Sequence, residues 1–404
     1  MSKSTIAIII AGFFTVFTAY AVRYGYGLLL PEMLPALAIS KTQAGLIYSS
    51  YFIAYTICSP IIGLLSDRYN ARVLLTVFPV VLGVGAFLMS QPTSLYQACL
   101  FFTIAGIGHS ACWVPMATLI QRWVSDRRRG TALTFVELGS AAGLATWSIV
   151  IPFIVQAYDW RMGWIFLGIQ TFLIAALNFI LVSNPPSEKY RPKYSNQQQG
   201  TSKSIKTTYI FILKDVKFWL IGLSYLLICF CILIPFTFLS TYAVQELQLP
   251  YQTATLLLTM IAVGGVIGKL TLGPISDVFG RIKILFSCGL LITIGGLGMI
   301  YAREFIFLAL LTIVFGLGYG AIWPLYAACA RDFFDEQLTG TVFGLWTVYL
   351  GIGSIISPVI AGWAVDRSGT FHSAFFIAVF SAIASVLLLV PLMKVPRATI
   401  LSNS

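Results

Sequence analysis

Twelve long apolar stretches, separated by short polar ones, constrain the fold of this chain more than any other feature. Each stretch holds about 20 mostly apolar residues, the length that a helix needs to cross the core of a lipid bilayer. Of the 404 residues, 58% are hydrophobic and only 10% are charged, whereas soluble domains carry about 25% charged residues. Backbone groups in lipid must be hydrogen-bonded within their own segment. The sequence therefore predicts an all-α integral membrane protein with twelve transmembrane helices.

The predicted helices fall into two sets of six, separated by a polar stretch at 184–215 that is rich in Lys, Ser and Gln. We predict a first six-helix bundle at 1–183, a flexible cytoplasmic linker at 184–215 and a second six-helix bundle at 216–404. The first apolar run is longer than a signal-peptide core, so we expect it to remain as helix 1. The predicted bounds of helices 1 to 12 are 5–30, 42–66, 72–90, 95–122, 129–156, 161–183, 216–243, 253–275, 282–301, 305–329, 338–363 and 371–393.

Lys and Arg are distributed unevenly between the predicted loops. If the N-terminus is cytoplasmic, nineteen of the 25 Lys and Arg residues lie on the cytoplasmic side and four lie outside, while Arg23 and Lys269 lie within helices. Positive charge favours the cytoplasmic side, so both termini are predicted to be cytoplasmic. The same asymmetry accounts for the net charge of +11. It implies contact with membrane lipid and requires no nucleic-acid partner.

The two halves repeat one sequence plan at a shift of 210 residues. The segment from Gly63 to Asn70 recurs as the segment from Gly273 to Gly280. One register that holds over four helices predicts two parallel six-helix repeats, a plan known in transporters. The same shift aligns Gly106, Gly108, Ala111, Trp113, Gly130 and Gly143 with Gly316, Gly318, Ala321, Trp323, Gly340 and Gly353.

These repeated segments, G-L-L-S-D-R-Y-N at 63–70 and G-P-I-S-D-V-F-G-R at 273–281, resemble the loop signature of the major facilitator superfamily. The resemblance covers the whole chain. It implies two six-helix bundles, alternating access to a central site, and loops that latch one conformational state. The latch residues that it implies are Asp67, Arg68, Asp277 and Arg281.

A second resemblance narrows the group. The segment from Arg128 to Leu133, followed by Gly139 to Gly143, is similar to the start of helix 5 in the monocarboxylate and oxalate–formate transporters. Lys269 stands eight residues before Asp277, where those groups place an Arg that meets the substrate carboxylate. Lys keeps the positive charge but lacks the guanidinium fork. The resemblance implies a small organic anion, such as a monocarboxylate, as substrate.

Four charged or titratable side chains stand out deep inside the predicted helices, and none has a counterpart in the other half. A charge at the bilayer centre costs about 2.5–3.5 kcal/mol on insertion scales, so each one needs a reason. Since the scaffold does not require them in both halves, we predict that Arg23 and Lys269 bind the anion and that Glu137 or His109 carries a coupled proton. The repeat positions of Arg23, Lys269, Glu137 and His109 hold Leu233, Ser59, Thr347 and Tyr319.

Each of these four residues has a structural alternative. Arg23 could snorkel outward or pair with Glu32. Lys269 could snorkel toward the inner loop. Glu137 could neutralise one of the two cations, and His109 could be a hydrogen-bonded core histidine.

Aromatic side chains supply further candidates. The resemblance implies that helices 1, 4, 7 and 10 line the cavity. The spacing places His109 and Trp113 on one face of helix 4, and Tyr319, Trp323 and Tyr326 on one face of helix 10. Pro115 and Pro324 predict kinks in the same helices. Packing is the alternative role for these stripes. The complete predicted substrate-binding set is Arg23, Tyr24, His109, Trp113, Lys269, Tyr319, Trp323, Tyr326 and Tyr349.

Two other functions fit the same sequence. A proton-driven exporter of drugs or amphipathic cations would need an acid in its pocket, for which Glu137 is the candidate. A membrane sensor would bind a ligand without moving it, and the linker could dock a partner. No enzyme is predicted, because no Ser/His/Asp set, P-loop or dinucleotide fingerprint appears. No cofactor or metal is implied, since all seven Cys lie in apolar stretches, and we expect a monomer.

Overall fold

A computed structural model of the chain describes residues 3–183, 212–335 and 338–394. Twelve helices in these residues are long and apolar enough to cross a membrane, and no strand occurs among them. The predicted all-α fold with twelve transmembrane helices is confirmed. The predicted linker at 184–215 lies mostly outside the described residues.

The helices of the first half are helix 1 (Lys3–Leu37), helix 2 (Lys41–Arg68), helix 3 (Ala71–Leu88), helix 4a (Leu95–His109), helix 4b (Val114–Trp123), helix 5 (Asp126–Ala157) and helix 6 (Trp160–Leu181). Those of the second half are helix 7 (Val216–Gln245), helix 8 (Tyr251–Phe279), helix 9 (Arg281–Tyr301), helix 10 (Phe305–Phe333), helix 11 (Thr339–Ser368) and helix 12 (His372–Leu389), and a short 3-10 helix (Val390–Lys394) follows.

Helix 4 is broken, although the apolar pattern predicts one continuous helix. Helix 4a ends at His109, whose carbonyl accepts a hydrogen bond of 3.0 Å from the Cys112 N–H in the turn that follows. Pro115 lacks an N–H group and its ring would clash with the carbonyl four residues earlier, so a helix cannot run through it undisturbed. Trp113 is the N-cap of helix 4b. The prediction that His109 and Trp113 share one helix face is therefore wrong.

The repeat reappears in the contacts between helices. Gly106 in helix 4a lies directly against the main chain of Tyr51 in helix 2, and Gly316 in helix 10 lies against that of Ile261 in helix 8. A Cβ at either glycine would overlap a carbonyl group, so only Gly allows this close approach. Positions 51 and 261 are separated by the same 210 residues as the two glycines. The two halves thus pack their helices in the same way.

The helix ends form two faces. The ends that carry Arg68, Arg122, Arg281 and Arg331 lie on one side, here called the basic face. The connections at 38–40, 158–159, 246–250 and 302–304 lie on the other side, here called the opposite face. On the predicted orientation the basic face is cytoplasmic.

Hydrogen bonds between the two halves run from mid-depth to the opposite face. At the opposite face, Asp366 at the end of helix 11 accepts hydrogen bonds from the first two N–H groups of helix 2, at 3.0 and 2.8 Å. Gln252 donates to Gln156 at 2.7 Å between helices 8 and 5. Deeper along the same pair of helices, the hydroxyls of Ser148 and Thr259 lie 2.5 Å apart. This conformation closes the centre of the molecule toward the opposite face.

Candidate functional site

A small cavity lies between the halves at mid-depth. The free space inside is about 10 Å³, which is room for about one water molecule. Its walls come from helices 1, 5, 8 and 10, so helices 5 and 8 take the places that the family resemblance assigned to helices 4 and 7. The lining residues are Tyr24, Ser140, Ala141, Leu144, Ala262, Gly265, Lys269, Tyr319, Gly320 and Trp323.

Lys269 in the cavity wall forms an ion pair with Glu137 of the other half. The Lys269 ammonium donates to the Glu137 carboxylate at 3.2 Å, and the two side chains are only 12% and 21% exposed. Lys269 does not snorkel to the basic face, and Glu137 neutralises it, as the structural alternative for Glu137 proposes. In the described part of the chain, this pair is the polar contact between the halves that lies nearest to the basic face.

Arg23 occupies a cage of aromatic rings in the first half. Its guanidinium carbon lies 4.6 Å from the centre of the Phe52 ring and 5.4 Å from the centres of the Tyr20 and Tyr24 rings. The residue is 6% exposed, and its buried Nε has no hydrogen-bond partner. Among the described residues no carboxylate, including that of Glu32, lies within ion-pairing distance of it. Arg23 is therefore a buried positive charge beside Tyr24, one of the residues that line the cavity.

Two tyrosines join the halves across the cavity. The hydroxyls of Tyr24 in helix 1 and Tyr319 in helix 10 lie 2.8 Å apart. The Tyr24 ring stacks on Phe236 of helix 7, with 4.4 Å between ring centres, and Tyr319 meets Trp323 edge-on at 6.2 Å. Three of the predicted aromatic residues, Tyr24, Tyr319 and Trp323, thus line one site.

His109 lies apart from the cavity. It is 2% exposed, its Nδ1 is hydrogen-bonded to the Tyr51 hydroxyl, and the rings of Tyr20 and Tyr55 enclose it. These contacts are those of a hydrogen-bonded core histidine, the structural alternative for this residue.

The remaining predicted aromatic residues pack within single halves. Tyr326 stacks on Tyr225 with 4.2 Å between ring centres, and its hydroxyl lies 2.7 Å from that of Ser224, so it does not continue the stripe of Tyr319 and Trp323 into the cavity. Tyr349 lies among aromatic side chains of helix 7. Trp113 packs against an apolar cluster formed by helices 1, 3, 4b and 5.

The loop signature of the second half forms a charge network. Arg281 pairs with Asp277 and, at 3.8 Å, with Asp332 at the end of helix 10. All three residues belong to the second half. In the first half Arg68 is exposed, and the Asp67 side chain lies outside the described residues. Their predicted role as latches stays a prediction.

The sequence analysis did not identify most of the uncharged, non-aromatic residues in the cavity wall. Ser140, Ala141 and Leu144 follow Glu137 by three, four and seven residues, and Gly265 precedes Lys269 by four. These intervals place them on the same helix faces as the two charges. The spacing from the charged residues was thus a signal that could have located them.

The sequence also matches known proteins over its whole length. The family described as Major Facilitator Superfamily matches residues 12–268 and 244–403. The chain is 25% identical to a hexuronate transporter of Bacillus subtilis, with 100% of this chain and 99% of that protein covered. It is 24% identical to the membrane sensor protein UhpC of Escherichia coli, with 93% and 89% covered. It is also 24% identical to monocarboxylate transporter 12-B of Danio rerio, with 82% and 75% covered.

A solved structure supports the same fold. The nucleoside transporter NupG superposes with a TM-score of 0.76 over 97% of this chain and 98% of that chain, at 14% sequence identity. Together with the twelve candidate spans and the two repeated halves, the family match leads to one conclusion. This integral membrane protein belongs to the major facilitator superfamily, which is a superfamily of transporters and not of enzymes.

Proposed function

We propose that the protein is a secondary active transporter that moves a small organic anion across the membrane by alternating access. The observation that carries this proposal is Lys269, a largely but not fully buried cation in the wall of the central cavity, held there by a carboxylate of the other half. A site that already binds a carboxylate has the charge and the donors to bind the carboxylate of a substrate. Relatives named for hexuronate and monocarboxylate transport support an anionic substrate.

Arg23 strengthens the positive potential of the site. Its charge has no carboxylate partner among the described residues, and it lies 5.4 Å from the centre of the Tyr24 ring, which lines the cavity. Charges in a low-dielectric interior interact much more strongly than charges in water. An anion in the cavity would be attracted by Lys269 of the second half and Arg23 of the first, which draws the halves together around it.

The transport cycle proposed here uses the two halves as rocking units. The site is closed toward the opposite face by the contacts of helices 2, 5, 8 and 11, and the cavity must widen before it admits an anion larger than water. We place the basic face in the cytoplasm, on the charge asymmetry of the loops, and propose that the protein works as a monomer. With the basic face inside, this conformation is the one that closes the extracellular path.

A coupled proton has one candidate at the cavity. Glu137 is partly exposed and contacts Lys269, so a proton could reach it when the site opens. His109, the second predicted carrier, is enclosed by tyrosine rings away from the cavity. Glu137 is therefore the residue through which we propose proton coupling.

Transport by purified protein in liposomes tests the proposal. We expect Lys269→Gln and Arg23→Gln each to lower the uptake of radiolabelled carboxylates by about tenfold or more, the change expected when about 1.4 kcal/mol of binding is lost. Lys217→Gln is the matched control, because Lys217 is ion-paired with Asp215 at the start of helix 7, away from the cavity. If both cavity variants transport at the wild-type rate, the anion proposal is wrong.

A thermal-shift screen against carboxylates, sulfonates, amines and sugars identifies the ligand class. A ligand that binds only the folded state stabilises it by RT ln(1 + [L]/Kd). Because the wall presents the hydroxyls of Tyr24, Tyr319 and Ser140, the screen should pair each simple carboxylate with a hydroxylated one of similar size.

A membrane sensor is the second candidate, favoured by the match to UhpC over most of the chain. Binding of an anion without any flux in liposomes would support it. The drug-exporter alternative is weakened by the ion pair, because Glu137 is already neutralised by Lys269 and is not a free acid for a cationic drug.

A further inference from the structure

We propose that Gly265 sets the size of the substrate, because it leaves room beside Lys269 for the body of a carboxylate that carries a ring. This inference rests on the proposed function and names the substrate class of the same site.

The repeat identifies side chains that the first half has at these positions and the second half lacks. Ala262, Gly265 and Lys269 lie on one face of helix 8, at intervals of three and four residues, and all three line the cavity. Their counterparts in helix 2 are Phe52, Tyr55 and Ser59. Helix 8 therefore lacks one phenyl ring and one whole tyrosine side chain on the face that meets the cavity.

The missing tyrosine ring has a defined place in the first half. The Tyr55 ring meets the His109 ring edge-on, with 5.2 Å between ring centres. His109 is the counterpart of Tyr319. The space between Gly265 and Tyr319 in the second half thus corresponds to the space that a tyrosine ring fills in the first half.

Packing between the helices does not require a glycine at position 265. A Cβ at Gly264 or Gly268 would overlap a carbonyl of helix 10, so these two glycines allow the close contact of helices 8 and 10. A Cβ at Gly265 would instead lie 3.4 Å from the nearest carbon of the Tyr319 ring, close to an ordinary contact distance. Since Gly in a helix interior lowers stability relative to Ala, the scaffold alone would favour Ala at this position.

The place of this space relative to Lys269 suits a ring. Gly265 lies one helical turn, about 5.4 Å, from Lys269. The body of a carboxylate bound to Lys269 can therefore lie along Gly265 and reach Ala262 once the site widens. A six-membered ring spans that distance, whereas an acid of two or three carbons would leave the space beside Ala262 empty.

The wall opposite helix 8 favours a ring that carries hydroxyl groups. The hydroxyls of Tyr24 and Tyr319 line the cavity and are hydrogen-bonded to each other at 2.8 Å. One of their two protons is used in this bond, and the other is left for an acceptor. In the described part of the chain neither hydroxyl has a second partner, so a hydroxyl group of the substrate can accept from one and donate to the other.

Binding to the purified protein tests this inference with two probes, D-glucuronate as a carboxylate with a hydroxylated ring and L-lactate as a carboxylate of three carbons. Thermal-shift titrations yield both dissociation constants, since a ligand stabilises the folded state by RT ln(1 + [L]/Kd). The wild type should bind D-glucuronate at least about tenfold more tightly than L-lactate.

Gly265→Ala places one methyl group in the space beside Lys269. One methylene group in a binding pocket changes affinity by about 10–200-fold. The Kd of D-glucuronate should therefore rise by about tenfold or more, and its uptake into liposomes should fall by a similar factor, while the Kd of L-lactate stays within about twofold. Because the methyl group overlaps no carbonyl, the variant should unfold at the wild-type temperature or a higher one.

Val263→Ile is the matched control, because it adds one carbon to an exposed side chain of the same helix. It should leave both dissociation constants unchanged. Ala262→Val is a second test variant, which narrows the same space one turn further from Lys269. It should show the same selective loss of D-glucuronate binding.

Three results would overturn the inference and leave the anion carrier standing. Gly265→Ala could change the affinity for the two probes equally or not at all, it could unfold at a clearly lower temperature than the wild type, or the wild type could bind L-lactate as tightly as D-glucuronate. A wild type that neither binds nor takes up any carboxylate would overturn the proposed function, and the inference with it.

Discussion

Arg23 is a residue whose burial lowers the stability of the fold. Burial of a charge without a partner costs several kcal/mol, whereas each cation–π contact returns about 0.5–2 kcal/mol. The three aromatic rings around Arg23 together return about 1.5–6 kcal/mol, which offsets much of this cost, but its Nε is left without a hydrogen bond. A residue placed for stability would have a carboxylate beside it.

From this we predict that Arg23→Met separates stability from activity. Methionine fills the space of the Arg stem and removes the uncompensated charge, so the purified variant should unfold at the same temperature as the wild type or a higher one. Anion transport should fall by about tenfold or more, since the positive potential of the site is lost. Thermal unfolding in detergent and uptake into liposomes measure the two effects.

Arg161→Met is the matched control, because Arg161 makes structural contacts. Its guanidinium donates to the Ser90 carbonyl at 2.8 Å and lies 4.4 Å from the Trp160 ring centre. This variant should lose stability while each folded molecule transports normally. A clear drop in the unfolding temperature of Arg23→Met would show instead that Arg23 serves the fold.

At the residue scale the sequence located the charges but not their surroundings. Comparison of the two repeats singled out Lys269 and Glu137, because each has a neutral counterpart. The two residues are 132 positions apart and lie in different halves. The sequence therefore predicted their pairing only as one of several alternatives. The rings that enclose His109 come from two other helices, so its environment could not be read from its own helix.

At the level of elements, the start of helix 2 is capped twice, locally by the capping box of Ser40 and Gln43 and from the other half by Asp366. Asp366 accepts hydrogen bonds from the N–H groups of Lys41 and Thr42 and, at 2.6 Å, from the Thr42 hydroxyl. A carboxylate at this end also interacts favourably with the helix dipole. The repeat-related place holds the uncharged contact between Gln156 and Gln252. Sequence signals for helix caps are local. They therefore cannot predict a cap that comes from a residue 324 positions away.

We predict that Asp366→Ala shifts the protein toward a conformation that is open at the opposite face. Loss of a cap costs about 1 kcal/mol, and loss of the charge–dipole interaction costs about 0.3–1 kcal/mol more. Together they change the ratio of the two conformations by roughly tenfold. The shift can be measured with an impermeant thiol reagent on Ser49→Cys, in a background without native cysteines, because the Ser49 side chain is buried and bonds to the Ile355 carbonyl between helices 2 and 11.

Gln156→Ala supplies the comparison at the repeat-related contact. It removes one uncharged hydrogen bond, so the labelling rate at position 49 should rise much less than in Asp366→Ala. Equal labelling in the wild type and Asp366→Ala would mean that this cap does not control the closure of the opposite face.

For the whole molecule, the sequence predicted the scaffold well and the conformation not at all. The 210-residue register identified Gly106 and Gly316, which occupy equivalent close contacts in the two halves. Such contacts lie within a half and are shared by every conformation of two rocking bundles. Contacts between halves, such as those of Asp366 and of Ser148 with Thr259, belong to one conformation. The sequence repeat does not predict these contacts between the halves, because the sequence must allow them both to form and to break.

This distinction leads to a test of alternating access by cross-linking. Ser148→Cys with Thr259→Cys places a disulfide between the halves, where the hydroxyls now lie 2.5 Å apart. Ser224→Cys with Ser385→Cys places one between helices 7 and 12 of the second half, where they lie 2.9 Å apart. Both pairs are buried and close enough for a disulfide after small adjustments, and both should be made without the seven native free cysteines.

If the halves move as rigid units, oxidation should stop transport only in the first pair, and a reductant should restore it. The second pair should transport equally well when oxidised and reduced, because its two helices never separate. Transport by the oxidised first pair would mean that helices 5 and 8 stay together at this depth throughout the cycle. The opening would then have to occur at helices 2 and 11 alone, and Asp366 would become its main control point.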